Sequence, residues 1–105
     1  MWIRSAFWIG APKPGAEQAF VDAVTLEIMP ALRVMPGVSG ARVLWPRRID
    51  GEAPAVACQI LIEYPGMAQI DEMLASPERR AFRARLPEFT ALFDGVISHI
   101  DYEAA

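Results

Sequence analysis

The chain carries one cysteine, Cys58, and one histidine, His99, and these two scarcities remove several kinds of chemistry at once. A lone thiol forms no intrachain disulfide, and within an apolar run it ordinarily serves as a small buried hydrophobe, which fits a reducing, cytoplasmic setting. With one imidazole and one thiol, a metal site would need carboxylates alone. No Asp/Glu spacing suggests such a set, so no metal is expected. There is no GxGxxG, no P-loop and no nucleophile elbow, and no cofactor is expected either. A basic excess is missing too: the net charge is −3, which argues against nucleic acid as the partner. The apolar opening, Met1 to Gly10, is too short to span a bilayer and lacks the basic n-region of a signal peptide, so neither membrane nor export is expected.

Apolar surface, by contrast, is abundant. Hydrophobic residues make up 53% of 105 residues, the length of a single domain, expected here over residues 1–105. So small a body hides that much apolar surface poorly, and pairing with a second copy is the simplest remedy.

Punctuation along the chain separates six elements. Ile3 to Ile9 reads as a buried first strand closed by Gly10, and Pro12, Pro14 and Gly15 break the chain after it. From Ala16 a helical period sets in, with Phe20, Val24, Ile28 and Leu32 on one face and Glu17 in the first turn. Pro30 falls inside this stripe, where it cannot donate to Leu26 and crowds that carbonyl, so a kink or a restart is expected. Pro36-Gly37 ends the helix. Gly40 to Trp45 and Ala55 to Tyr64 are two further strands, joined through Asp50-Gly51 as an antiparallel hairpin. The third strand is apolar on both alternating faces, which places it inside a sheet. A second helical stretch runs through Ile70, Met73 and Leu74 and restarts at Ser76-Pro77, a cap followed by proline at the first position. Pro87 is expected to open a last turn, Asp94-Gly95 to end it, and Val96 to Tyr102 to form the fourth strand. The basic stretch Arg79 to Arg85 reads as a solvated helix face.

The order β-α-β-β-α-β is that of the ferredoxin-like α+β fold: an antiparallel four-stranded sheet with helices on one face. Leu61-Ile62-Glu63-Tyr64, the later Leu74-Ala75-Ser76-Pro77-Glu78, Phe89 before the last strand, and Met35-Pro36-Gly37-Val38 after Pro30 together resemble the EthD-like family of the dimeric α-β barrel superfamily. The resemblance covers nearly the whole chain through short motifs. It implies a homodimer whose sheets face each other, with an apolar pocket between sheet and helices in each subunit. It also implies a function among cofactor-independent monooxygenases, isomerases or cyclases on small ring compounds, or among accessory proteins of catabolic operons. Family members with acid–base chemistry often place a histidine two residues before the proline of the first helix; here that position is Ile28.

The candidate residues derive from the fold. His99 lies on the fourth strand with Ile97 and Asp101 on the same side, and an imidazole in a small pocket is the natural proton carrier near neutral pH. A histidine tied up in the core or in the dimer interface is the competing reading. Trp8 and Trp45 are candidates for lining a site for a flat apolar metabolite, and Tyr64 for donating a hydrogen bond at its mouth. Phe20, Phe82 and Phe89 face the sheet from the helices, where a pocket would be the gap they leave. Two functions stand side by side: an enzyme acting on a small apolar metabolite through His99, and a non-catalytic accessory module. A histidine facing a cavity with a polar neighbour favours the former.

Overall fold

The computed structural model describes residues 1–105. Its elements are β1 (Trp2–Pro12), α1 (Glu17–Ala23), a π-helical turn (Val24–Ile28), α2 (Met29–Arg33), β2 (Gly40–Leu44), β3 (Val56–Tyr64), α3 (Met67–Leu74), α4 (Pro77–Thr90) and β4 (Phe93–Glu103). The sheet order is β2-β3-β1-β4 and every pairing is antiparallel. This is the ferredoxin-like α+β arrangement. β3, apolar on both faces in sequence, lies inside the sheet as that pattern requires.

Register decides which side chains share a face. Ala6 stands opposite Ile60 and His99, and Trp8 opposite Cys58 and Ile97. These residues form the floor of the core, and Phe20, Val24, Ile28, Met29, Ile70, Met73 and Phe89 close over it from the helices. The other face carries Ile3, Phe7, Leu61, Val96, Ile100 and Tyr102, and no helix covers it. Val96 is 61% exposed, Ile100 46% and Tyr102 43%, an unusual amount of apolar surface for one side of a small sheet.

Pro30 has the expected effect in a specific form. Backbone angles stay α-helical from Ala23 through Met29, so the helix does not stop. It widens over Val24–Ile28, and the Met29 N–H donates to the Val24 carbonyl. A wider turn before the proline relieves the clash between its ring and the carbonyl four residues back. The bulge also sets the phase of α2, so that Ile28, Met29 and Leu32 are all buried.

Two expectations are corrected. Pro87 does not open a separate turn, because α4 runs through it to Thr90. Proline there forfeits a single backbone bond, and its carbonyl still accepts from the Ala91 N–H at 3.0 Å. Asp94-Gly95, expected to end a helix, lies within β4. Gly95 pairs with Gly10, and both have positive φ, 154° and 132°. A Cβ at Gly10 would meet the Asp94 carbonyl oxygen at 2.1 Å, and one at Gly95 the Ile9 carbonyl oxygen at 2.0 Å. The strands cross so tightly that only glycine fits at either position.

Candidate functional site

Between the sheet and the helices the core leaves a cavity of about 280 Å³. Ala6, Trp8, Ile60, Ile62 and Ile97 floor it; Ile28, Leu32 and Met35 wall it on one side, and Met73, Phe82 and Leu86 on the other. Its polar lining is limited to Arg4, His99, Arg79 and Arg83. The space exists because neighbouring inward positions on β1 are unequal. Ala6, between Arg4 and Trp8, is too small to reach the helices. The π-turn phases Ile28 and Leu32 toward the gap.

α4 supplies two of the four polar groups. Its start is fixed by Ser76, whose Oγ accepts from the Arg79 N–H at 3.1 Å and donates to the Met73 carbonyl at 2.7 Å, with Pro77 in the first turn. From that start Arg79 and Arg83, one turn apart, share the face that carries Phe82 and Leu86. Arg4 comes from β1, in phase with Ala6 and Trp8, and its Nη1 donates to both carboxylate oxygens of Asp101, at 2.9 and 3.1 Å. That pair is neutral as a unit. Arg79 and Arg83 form no ion pair within 4.0 Å, so two uncompensated cations stand at one apolar cavity of a protein whose net charge is −3.

His99 sits at the solvent-facing rim and makes no hydrogen bond to the protein. Its pKa is lowered below the ordinary histidine value, first by desolvation and then by Arg4 and Arg79, with Asp101 pulling the other way. The shift favours the neutral imidazole, the form able to take a proton. Burial, then the neighbouring charges of Arg83 and Arg4, likewise lower the Arg79 pKa, although a guanidinium stays charged throughout the physiological range.

Of the residues singled out in the sequence, Trp8, Phe82 and His99 come together at this cavity. Phe20 and Trp45 do not line it. They belong to an aromatic cluster at another part of the core, in which Phe20 stacks on Phe93 at 5.1 Å and meets Trp8 edge-on at 5.3 Å and Trp45 at 6.3 Å. Phe89 stacks on Phe82 at 6.2 Å with the Arg85 guanidinium over its outer face. Tyr64 is wholly buried rather than at a pocket mouth, and its hydroxyl has no hydrogen-bond partner. Burial pushes its pKa up to about 12, against the opposing pull of Arg4. Cys58, also fully buried, is raised to about 12 by desolvation. No cluster of metal-ligating side chains is present.

The arginines correct the sequence reading. Arg79, partly buried, and Arg83, still exposed, line the cavity edge, whereas Arg80 and Arg85 lie away from it on the solvated face. The signal was available as spacing, since Arg79 and Arg83 flank Phe82 and Leu86 on one helical stripe. Arg4 was visible as a charge in phase with an inward tryptophan.

No family model matches this chain, and no curated protein is significantly similar to it in sequence. Solved structures match it over its full length. An EthD family protein from Bacillus halodurans superposes with a TM-score of 0.79 at 17% identity, covering 100% of this chain and 99% of that one. A dimeric ferredoxin-like protein of unknown function from Jannaschia gives 0.68 at 17% identity, with 99% and 100% covered. An antibiotic biosynthesis monooxygenase gives 0.65 at 17% identity, with 100% and 99% covered. What these likenesses show is the fold: a ferredoxin-like α+β domain over the whole chain. No helix is long and apolar enough to cross a membrane.

Proposed function

We propose that the protein is a homodimeric, small-molecule-binding domain that holds a small, mostly apolar metabolite in the sheet–helix cavity and moves a proton on it through His99 without a cofactor. The observation that carries this reading is the placement of the His99 imidazole at the rim of an apolar cavity, beside guanidinium groups. A cavity of about 280 Å³ sits at the lower edge of the ~300–1,000 Å³ usual for ligand sites, so the metabolite is compact. The chemistry is that of an isomerase or cyclase. His99 takes a proton from a carbon next to a carbonyl, the electron pair moves onto the carbonyl oxygen, and the arginines stabilise the resulting negative charge. The proton then returns to a different atom. A cavity-facing histidine with charged neighbours favours catalysis over an accessory role. The two-sided sheet supports the dimer, because its open face presents Val96, Ile100 and Tyr102 to a second copy. A structural neighbour from Jannaschia is described as dimeric, which agrees with that assembly.

The test is proton exchange. Small cyclic and aromatic ketones are incubated with the protein in D2O, and loss of the α-proton signal is followed by NMR. At least one such ketone is expected to exchange faster than in buffer, and His99→Gln is expected to slow that exchange ~10²–10⁴-fold while the protein stays folded. Exchange that His99→Gln leaves unchanged would remove His99 from the chemistry.

A further inference from the structure

A compact, apolar metabolite satisfies the floor of the cavity, but the wall asks for more. Ordinary surface arginines find carboxylates or water. Arg79, partly buried, and Arg83, at the exposed edge, line the cavity with two guanidinium groups that have no ion-pair partner, beside a lining that is mostly hydrocarbon. Arg4 already spends its charge on Asp101. Two like charges one helical turn apart repel each other, and no carboxylate lies within 4.0 Å of either to offset that. An apolar cavity with one cationic wall is incomplete until an anion enters.

Resting on the proposal that this cavity is the binding site, we infer that its ligand is an apolar carboxylic acid, bound as the carboxylate by Arg79 and Arg83 with its hydrocarbon body over Trp8 and among Ile28, Leu32 and Phe82. A guanidinium fork matches a carboxylate in shape as well as charge. The walls fit the hydrocarbon body, whereas a small fully hydrated anion would leave them unfilled.

The inference is tested by equilibrium binding, independently of any catalysis. Benzoate and cyclohexanecarboxylate are titrated against the protein beside their neutral isosteres, benzamide and cyclohexanecarboxamide, with amide and indole NMR shifts as the readout. The acids are expected to bind ~10–100-fold more tightly than the amides, the worth of charge-assisted bonds at a partly solvated site. In the double variant Arg79→Gln, Arg83→Gln that preference should collapse while amide binding persists. Both positions are on a helix that tolerates glutamine well, and the acid–amide comparison on the unaltered protein decides the question even if the variant folds poorly. Acids and amides binding equally would overturn the carboxylate assignment and leave the cavity as a site. Binding of neither at millimolar concentration would overturn both. Inorganic phosphate binding more tightly than every acid would overturn the carboxylate in favour of a phosphorylated ligand. Acid-selective binding with no ketone exchange would keep this inference and remove the proton-transfer reading alone.

Discussion

Leu61 occupies the open face of β3, opposite Ser5 on β1 and Arg42 on β2, and it is the residue at which the dimer is best tested. Arginine there would face Arg42 directly and disturb the sheet itself, since like charges across a strand pair are destabilising. Leu61→Glu instead places a carboxylate opposite Arg42, at little or no cost to the isolated subunit, because surface substitutions ordinarily stay within about 0.5 kcal/mol. In the dimer the account differs. Burying a leucine fully contributes about 1.5–3 kcal/mol; Leu61 is already half-buried by its neighbours, so about half of that is at stake. A twofold axis counts the change twice, giving about 1.5–3 kcal/mol from apolar contact alone, and burying two carboxylates adds several more. The sum weakens association by at least ~10–100-fold. Light scattering coupled to size exclusion at micromolar concentration should therefore report a dimer for the parent protein and a monomer for Leu61→Glu. Urea midpoints for the variant should show a subunit that still unfolds cooperatively. A parent protein that elutes as a monomer would refute the argument, as would a Leu61→Glu protein that remains dimeric.

Two further outcomes are expected from buried and charged groups. Tyr64→Phe deletes a hydroxyl that is buried without a partner, a group whose desolvation costs about 1–3 kcal/mol, so the variant should melt no lower than the parent and up to several degrees higher; a clear fall in Tm would mean that the hydroxyl is bonded in solution. The His99 imidazole, followed by NMR, should titrate below the ordinary value of about 6.5. The sign for stability is set by that shift: as pH falls through about 6.5 the unfolded chain takes the proton first, so the His99 contribution is lost between there and the lower folded pKa. Benzoate should raise the His99 pKa, because an anion beside the ring favours imidazolium, and by reciprocity its binding should tighten as pH falls through that range. A normal or raised pKa in the free protein would show that neither burial nor the arginines act on the ring.

The parts of this molecule that sequence alone made legible are those decided by nearest neighbours along the chain. Ser76-Pro77 starts a helix because the hydroxyl and the missing N–H act within one turn. β3 lies inside the sheet because both its faces are apolar. Pro30 perturbs the first helix because a ring and a carbonyl four residues apart collide, and that much is local. The response was not local. Whether the helix stops, kinks or widens depends on whether Ile28 and Leu32 can still reach the core, and the π-turn is the solution that keeps them there. Asp94-Gly95 was misleading for the same reason: the dipeptide suits a turn, but here a close crossing with Gly10 on another strand requires the glycine. The site was least legible because it is made of differences between elements. The arginines of α4 look solvated until the phase set by Ser76 brings Arg79 and Arg83 to the cavity edge, and Arg4 looks out of place until Asp101, 97 residues later, is brought opposite it. Aromatic side chains were expected to shape the pocket, yet Phe20 and Trp45 pack against other rings. It is the smallness of Ala6 between Arg4 and Trp8 that opens the space. A cavity records what is missing between packed layers, and only the register of β1 against β3 and β4 reveals where a small residue leaves room. The proposed carboxylate would meet, at the edge of that room, two guanidinium groups with no ion-pair partner in this protein.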